Sequence, residues 1–213
     1  MDEHLEQIKD MVVSGKHNEI EDVVKKAIEH NASPERIIND AMISAMDVVG
    51  ERFSAGEIFV PEMLVAAATM KKGLDMIKPL LKSEDITSKE TIVMCTVKGD
   101  MHDIGKNLVI MMLEGAGFNV IDLGVDLSVA RLIEKLEQVK PAVLGLSALL
   151  TTTMPEMKKA IAALEENGLR DTVKVMIGGA PVDAAFADKI GADGYGKDAA
   201  EAVRLARSFV AGS

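Results

Sequence analysis

Tryptophan is absent from this chain of 213 residues, tyrosine and cysteine occur once each, and phenylalanine occurs five times. A single cysteine excludes an intrachain disulfide and fits a reducing, cytoplasmic setting. Basic residues are outnumbered, 24 Lys and Arg against 34 Asp and Glu, which leaves a formal charge of −10 and no Lys/Arg cluster. That balance argues against nucleic acid or an anionic membrane as partner, because both need a field of positive charge. No apolar run approaches membrane-spanning length, and Met1-Asp-Glu-His-Leu-Glu6 is too acidic for a signal peptide. Internal repeats and low-complexity tracts are missing as well. What is plentiful is aliphatic: a hydrophobic share of 48%, ample for a packed core, and 14 methionines, best read as adaptable core filler. The length allows one large domain or two small ones.

The hydrophobic period changes once along the chain. Leu5, Ile8, Met11 and Val12 form a helical stripe ending at Ser14-Gly15, and Ile20, Val23, Val24, Ala27 and Ile28 form a second over about 18–30. Ser33 at N-cap and Pro34 at N1 open a third helix to about residue 52, which buries Ile37, Ile38, Ala41, Met42, Ala45, Met46 and Val49. Pro61 opens a fourth to about residue 81. Four amphipathic helices with short connections predict an antiparallel bundle. The polar stretch Ser83-Glu-Asp-Ile-Thr-Ser-Lys-Glu90 reads as a linker.

From Thr91 onward, apolar strands at about 91–97, 118–122, 142–147, 173–178 and 192–195 alternate with helices at about 104–115, 128–138, 153–167, 183–189 and 198–210. The expected fold class is α/β: an N-terminal four-helix bundle cap, then a flavodoxin-like (Rossmann-type), doubly wound, five-stranded parallel sheet. The expected division is a cap at 1–84, a linker at 85–90 and a sheet domain at 91–213.

The chemistry concentrates after the first strand, in the loop Asp100-Met101-His102-Asp103 leading into a helix at Ile104-Gly105. Loops at the carboxyl ends of such strands are where ligands bind. Gly99 and Gly105-Lys106 suggest a phosphate cradle, but five residues separate the glycines where the motif has four, and Asn107 replaces the Ser or Thr. Zinc has no suitable spacing, since His4, His17 and His30 lie in the helical region and Cys95 is mid-strand. A third reading makes His102 a turn residue hydrogen-bonded to Asp100 and nothing more.

Further residues weigh against that bland reading. Asp100-Met101-His102-Asp103-Ile104-Gly105, then Ser147-Ala148-Leu149, then Gly178-Gly179 follow three successive predicted strands. In this order they resemble the Asp-x-His-x-x-Gly, Ser-x-Leu and Gly-Gly motif of the B12-binding domain of methionine synthase and of the small corrinoid proteins of methyltransferase systems. Arg52-Phe53, Gly56, Glu57 and Val60-Pro61-Glu62-Met63-Leu64 resemble that family's helical cap signature, so the resemblance covers essentially the whole chain.

The resemblance implies a cobalamin or related corrinoid, cycling between methylcob(III)alamin and cob(I)alamin. His102 would replace the cofactor's own base as lower ligand of the cobalt, and Asp100 would accept from the other ring nitrogen, with Thr153 extending the relay. Ser147 would hydrogen-bond the displaced base, with Leu149 and Thr151 lining the same loop. Gly178-Gly179 would let backbone approach the nucleotide tail, and Tyr195-Gly196 would be a further contact. Gly105 is expected to permit close packing of its helix. Apolar side chains of the cap would shield the upper cobalt face, with Met63 and Met70 favoured by position and Val60 and Ala67 nearby. The implied protein is a non-catalytic carrier subunit. It would take a methyl group from a substrate-specific methyltransferase and pass it to a second methyltransferase acting on tetrahydrofolate or coenzyme M, with a reductive activase as a further partner. A B12-responsive regulator and an adenosylcobalamin mutase subunit are the alternatives. Regulators usually attach a DNA-binding module, and mutase subunits generally lack the helical cap.

Overall fold

Helices α1 (Glu3–Val13) and α2 (Ile20–Glu29) bury the stripes Leu5, Ile8, Val12 and Ile20, Val24, Ala27. The computed structural model describes residues 3–80 and 90–211. Residues 81–89, which include most of the expected linker, lie outside the described residues. Helix α3 starts where Ser33 caps it, its hydroxyl accepting from Arg36 N at 3.4 Å with Pro34 next in line, and continues through Pro34–Arg36, Ile37–Ile43 and Ser44–Ser54. Helix α4 (Val60–Ile77) begins with half a capping box, Phe59 N donating to the Glu62 carboxylate at 2.7 Å. It ends in a 3-10 turn, Lys78–Leu80. In this unit α1 packs on the other three helices, and α4 packs on α2 and α3.

The third helix departs from the uniform winding expected of it: Ile37–Ile43 is a π-helix. The cause is visible in which residues it buries. Buried residues come as the pairs 37/38, 41/42, 45/46 and 49/50, a period of four. A helix of 3.6 residues per turn would rotate such a stripe by about 40° at each repeat. The wider π winding takes back that drift and keeps the pairs on one face.

The second unit is a five-stranded sheet: β1 (Thr91–Thr96), β2 (Asn119–Asp122), β3 (Val143–Ser147), β4 (Lys174–Gly178) and β5 (Gly194–Gly196). All pairs are parallel and the order is β2-β1-β3-β4-β5, the doubly wound order whose topological switch point lies between β1 and β3. The helices are α5 (Ile104–Gly115), α6 (Val129–Val139), α7 (Met154–Glu166), α8 (Ala184–Ile190) and α9 (Ala199–Ala211). The three central strands are buried on both faces, which is why they read as continuous apolar runs.

Val93, Cys95, Leu144, Leu146, Val175 and Ile177 form one face of the sheet, in a single core with Leu132, Leu136, Met157, Ile161 and Leu164 of α6 and α7. Right-handed crossovers put α5 on the opposite face. There the other set of each strand, also largely buried, is Ile92, Met94 and Thr96, then Val143, Gly145 and Ser147, then Met176 and Gly178. Among the described residues, no helix is long and apolar enough to cross a membrane.

Candidate functional site at the sheet switch point

Val97 to Asp103 leave β1 at the switch point, where strand hydrogen bonding ends and loops on either side take over. Val97 N donates to Ser147 O at 3.0 Å, and Leu127 N donates to Thr96 O at 3.2 Å. Gly99 N donates to the Asp126 carboxylate at 2.7 Å, while Asp126 N donates back to Asp100 O at 3.0 Å. Asp126 adopts a left-handed conformation (φ 50°) to do so. The loops after β1, β2 and β3 are thus stitched together before any side chain of the candidate site is counted.

Asp100 is wholly buried and is the hub of the site. Its Oδ1 accepts from His102 N at 3.0 Å and His102 Nδ1 at 2.7 Å. Its Oδ2 accepts from Leu149 N at 2.8 Å, Leu150 N at 3.2 Å and the Thr153 hydroxyl at 2.8 Å. Burial alone would raise the pKa of this carboxyl, but the bonds from the His102 and Leu149 amides and from the Thr153 and His102 side chains prevail. They hold it well below the usual carboxylate range.

With Nδ1 donating to a carboxylate, the neutral His102 ring keeps its lone pair on Nε2. The side chain is 50% exposed, so that lone pair sits at the surface of the loop. Thr96 fixes the backbone below, its hydroxyl donating to His102 O at 2.9 Å. Met101 and Ile104 on either side are 68% and 77% exposed, and Leu149 and Leu150 are exposed on the facing loop. A free imidazole nitrogen is therefore ringed by apolar side chains held open to solvent, an arrangement that suits a large, flat, mostly apolar ligand. Asp103 precedes α5, its carboxylate accepting from the Asn107 amide at 3.2 Å.

Ser147 ends β3 in one row with Thr96 and Gly178, its cross-strand partners. Above Gly178 an added Cβ would meet the Gly196 carbonyl at 3.0 Å and no other atom within 4 Å, so the floor of this row is open. Gly179 has a different reason to be glycine. Its φ is 129°, and a Cβ there would be driven into the Ala148 carbonyl oxygen, so the close approach it permits is of the chain to itself. Gly105 does not serve helix packing as expected: an added Cβ would meet nothing within 4 Å. Thr151 is exposed beside Leu150.

Two of the expected residues, both on β5, are committed elsewhere. Tyr195 pairs with Ile177 and packs on the α6–α7 side of the sheet, opposite the Ser147 row. The missing Cβ of Gly196 is used by α9, with Ala202 Cβ at 3.3 Å. Met63 and Met70 are buried, each 1% exposed, whereas Phe59 stands 68% exposed and Val65 is exposed as well. Among the described residues of the helical unit, the exposed large apolar side chains are Phe59, Val65 and Leu80. Phe59 was detectable in the sequence as one of five phenylalanines, placed in a turn before Pro61 where no core position required it.

Lys106, one of the residues behind the phosphate-cradle reading, is buried and points at β2. Its ammonium lies 2.5 Å from the Asp122 carboxylate and 3.0 Å from Asn107 Oδ1. Nearby Cys95 is pushed up to about 12 by burial, with Lys106 lowering and Asp122 raising its pKa, so the thiol stays protonated. Asp122→Asn, which strands the ammonium, should cost about 2–3 kcal/mol in urea unfolding, less than a wholly unpaired buried charge because Asn107 still accepts. Lys106→Met, which removes the charge and keeps the volume, should cost clearly less. Equal losses would mean the ion pair does not hold this helix to β2.

Residues 90–204 match the family model of the B12 binding domain, and residues 4–78 match a second family model, also described as a B12 binding domain. The chain is 43% identical over 211 residues to a dimethylamine corrinoid protein of Methanosarcina barkeri, covering 99% of each. Among solved structures it is similar to a cobalamin-binding protein from Desulfitobacterium hafniense, with TM-score 0.83, 34% identity and coverage of 96% of this chain and 98% of that one. It is also similar to the methanol:cobalamin methyltransferase complex of Methanosarcina barkeri, with TM-score 0.86, 32% identity and coverage of 100% of this chain and 81% of that one.

Proposed function

Because the chain belongs to the B12-binding corrinoid proteins of methyltransferase systems, and its cofactor is a cobalamin or related corrinoid, we propose that it is a methyl carrier in which His102 is the lower ligand of the cobalt. When bound, the corrinoid supplies a metal centre that accepts and gives up a methyl group. The observation that carries the reading is the His102 ring, with Nδ1 tied 2.7 Å from a buried carboxylate and Nε2 left free at the surface. The donor set fits: neutral imidazole is a good ligand for cobalt, and a carboxylate on its second nitrogen fixes the tautomer and raises basicity. The open floor above Gly178, beside the Ser147 hydroxyl, fits a displaced nucleotide tail.

The residues divide the work by position. Asp100 stays ionised, so it keeps accepting from His102 Nδ1. Thr153, with the Leu149 and Leu150 amides, keeps Asp100 aimed at the ring. Met101, Ile104, Leu149 and Leu150 present apolar surface to the corrin ring. The first partner is a methyltransferase specific for a methylated amine, in line with relatives at 43% and 39% identity named for dimethylamine and trimethylamine. A second methyltransferase using tetrahydrofolate or coenzyme M and a reductive activase are the further partners, and the setting is the cytoplasm.

The test is electron paramagnetic resonance of the protein reconstituted with cob(II)alamin, prepared with natural and with nitrogen-15-labelled histidine. The axial nitrogen splitting is expected to change with the label. A splitting indifferent to histidine labelling would identify the cofactor's own base as ligand and overturn the assignment.

A further inference from the structure

Two methionines close the far end of the trough that Ser147 opens. Across the three central strands, Met94, Gly145 and Met176 are direct partners, and two residues further on Thr96, Ser147 and Gly178 are partners in the same way. Side chains two apart on a strand share a face, so both rows lie on the side opposite the large core of Val93, Leu144, Leu146 and Ile177. The upper row holds two hydroxyl side chains and a glycine, with open space above the glycine. The lower row is different. A Cβ on Gly145 would overlap Met94 Sδ, and Met176 Cε would be 3.2 Å from it, so the two thioethers converge over the glycine. Met94 and Met176 are both buried, at 4% and 3% exposed.

Glycine in the central strand of a buried sheet has neither entropy nor packing in its favour, and it persists where something must come close to the backbone. Here the thing that comes close is a pair of long unbranched side chains with several rotatable bonds, the most easily moved filler a core can contain. The rows are about 7 Å apart along the strands. A bicyclic base whose nitrogen reaches Ser147 and whose body points inward must therefore lie over Gly145, in the space the two thioethers occupy.

We propose that Met94 and Met176 form a displaceable plug over Gly145, which closes the trough when no corrinoid is bound and determines which nucleotide base it admits. The proposal rests on the reading that the tail is displaced from cobalt into this trough. On entry of the base, both side chains rotate off Gly145 and their sulfurs come to lie against its ring edge. Bulky bicyclic bases require the full displacement, a monocyclic phenolic base requires part of it, and a corrinoid without a nucleotide requires none.

The experiment compares the wild-type apoprotein with M94A, M176A and the double variant, measuring association rate and affinity for cobalamin and for cobinamide, which lacks the tail. If the open trough is a minor state of about a tenth of the population, removing the plug raises apparent affinity for cobalamin up to about tenfold. Cobinamide binding should not change. Should an alanine variant fail to fold, M94L and M176L keep the volume with stiffer branching, and are expected to slow cobalamin uptake while leaving cobinamide alone. Parallel changes for both corrinoids, or no change for cobalamin in any variant, would overturn the plug. If instead wild-type cobalamin keeps its own base on cobalt by the resonance test above, it is the ligand assignment that has failed.

Discussion

Replacing His102 with alanine is expected to lower corrinoid affinity more than any other single change and to remove the histidine-ligated absorption spectrum. The loop that carries the ring does not depend on it for shape, because the backbone is held by Thr96 and Asp100 through His102 O and N. The variant should therefore fold and be measurable. Asp100→Asn should behave differently. Five donors converge on the two oxygens of Asp100, two on Oδ1 and three on Oδ2. An amide replaces one oxygen with a donor, so either flip sets its NH2 against at least two other donors. Each stranded buried group costs about 1–3 kcal/mol, and loss of a carboxylate behind a metal-bound histidine typically costs about 10–100-fold in affinity. Thus Asp100→Asn should lose both stability and affinity, whereas His102→Ala should lose affinity with stability nearly intact. Titration with cobalamin and urea unfolding of the apoproteins separate the two, and a His102→Ala protein with wild-type affinity and spectrum would sink the ligand assignment.

The same network dictates an acid response. Asp100 has its pKa lowered by folding, from an ordinary value of 3.8. A lowered carboxyl binds fewer protons folded than unfolded, so its contribution is fully present above the unfolded value and is lost as pH falls through the folded one. Acid unfolding of the wild type should therefore steepen below about pH 4, and Asp100→Asn should flatten that limb.

How far the sequence revealed this site depended on whether a role is played by side chain or backbone. His102 and Asp100 were legible as an Asp-x-His pair at a strand end, and Thr153 only through the family resemblance. The amides of Leu149 and Leu150 were not: every residue has one, and only the path of the loop after β3 turns these two toward Asp100. Strand parity was available and would have placed Tyr195 correctly, since it shares a face with Ile177 and not with Gly178. Apolar side chains on amphipathic helices are the harder case. The fourth helix carries Met63 and Met70 inside and Val65 outside, and only packing against its neighbours decides which face is which. The fourfold pairing of buried residues in α3 was present in the sequence as Ile37-Ile38, Ala41-Met42 and Ala45-Met46, yet that period fits neither a pure α-helix nor a strand.

Gly179→Ala is expected to damage both fold and site although residue 179 touches neither His102 nor Asp100. At φ 129° an alanine is strained regardless of the space available. The space is also taken: besides the overlap with Ala148 O, the new Cβ would lie 2.9 Å from Ala148 C and 3.2 Å from Ala148 N. None of these atoms belongs to a flexible side chain, so relief requires the backbone at Ala148 to move. That backbone is buried, its N donates to Gly178 O at 3.2 Å, and the next two amides are the ones held by Asp100. Strain of about 1–3 kcal/mol and weakened hydrogen bonds of about 1 kcal/mol each add to a loss of about 3–5 kcal/mol, large for one methyl group. Gly168→Ala is the control, since it is also left-handed (φ 68°) but has no atom within 4 Å of the added Cβ, and should lose only about 1–2 kcal/mol. Urea unfolding of both apoproteins compares them directly. If the two alanines cost the same, the end of β4 does not brace the loop after β3. If Gly179→Ala is the worse and also weakens cobalamin binding, the brace extends from β4 through Ala148 to Asp100, and so to the orientation of the imidazole.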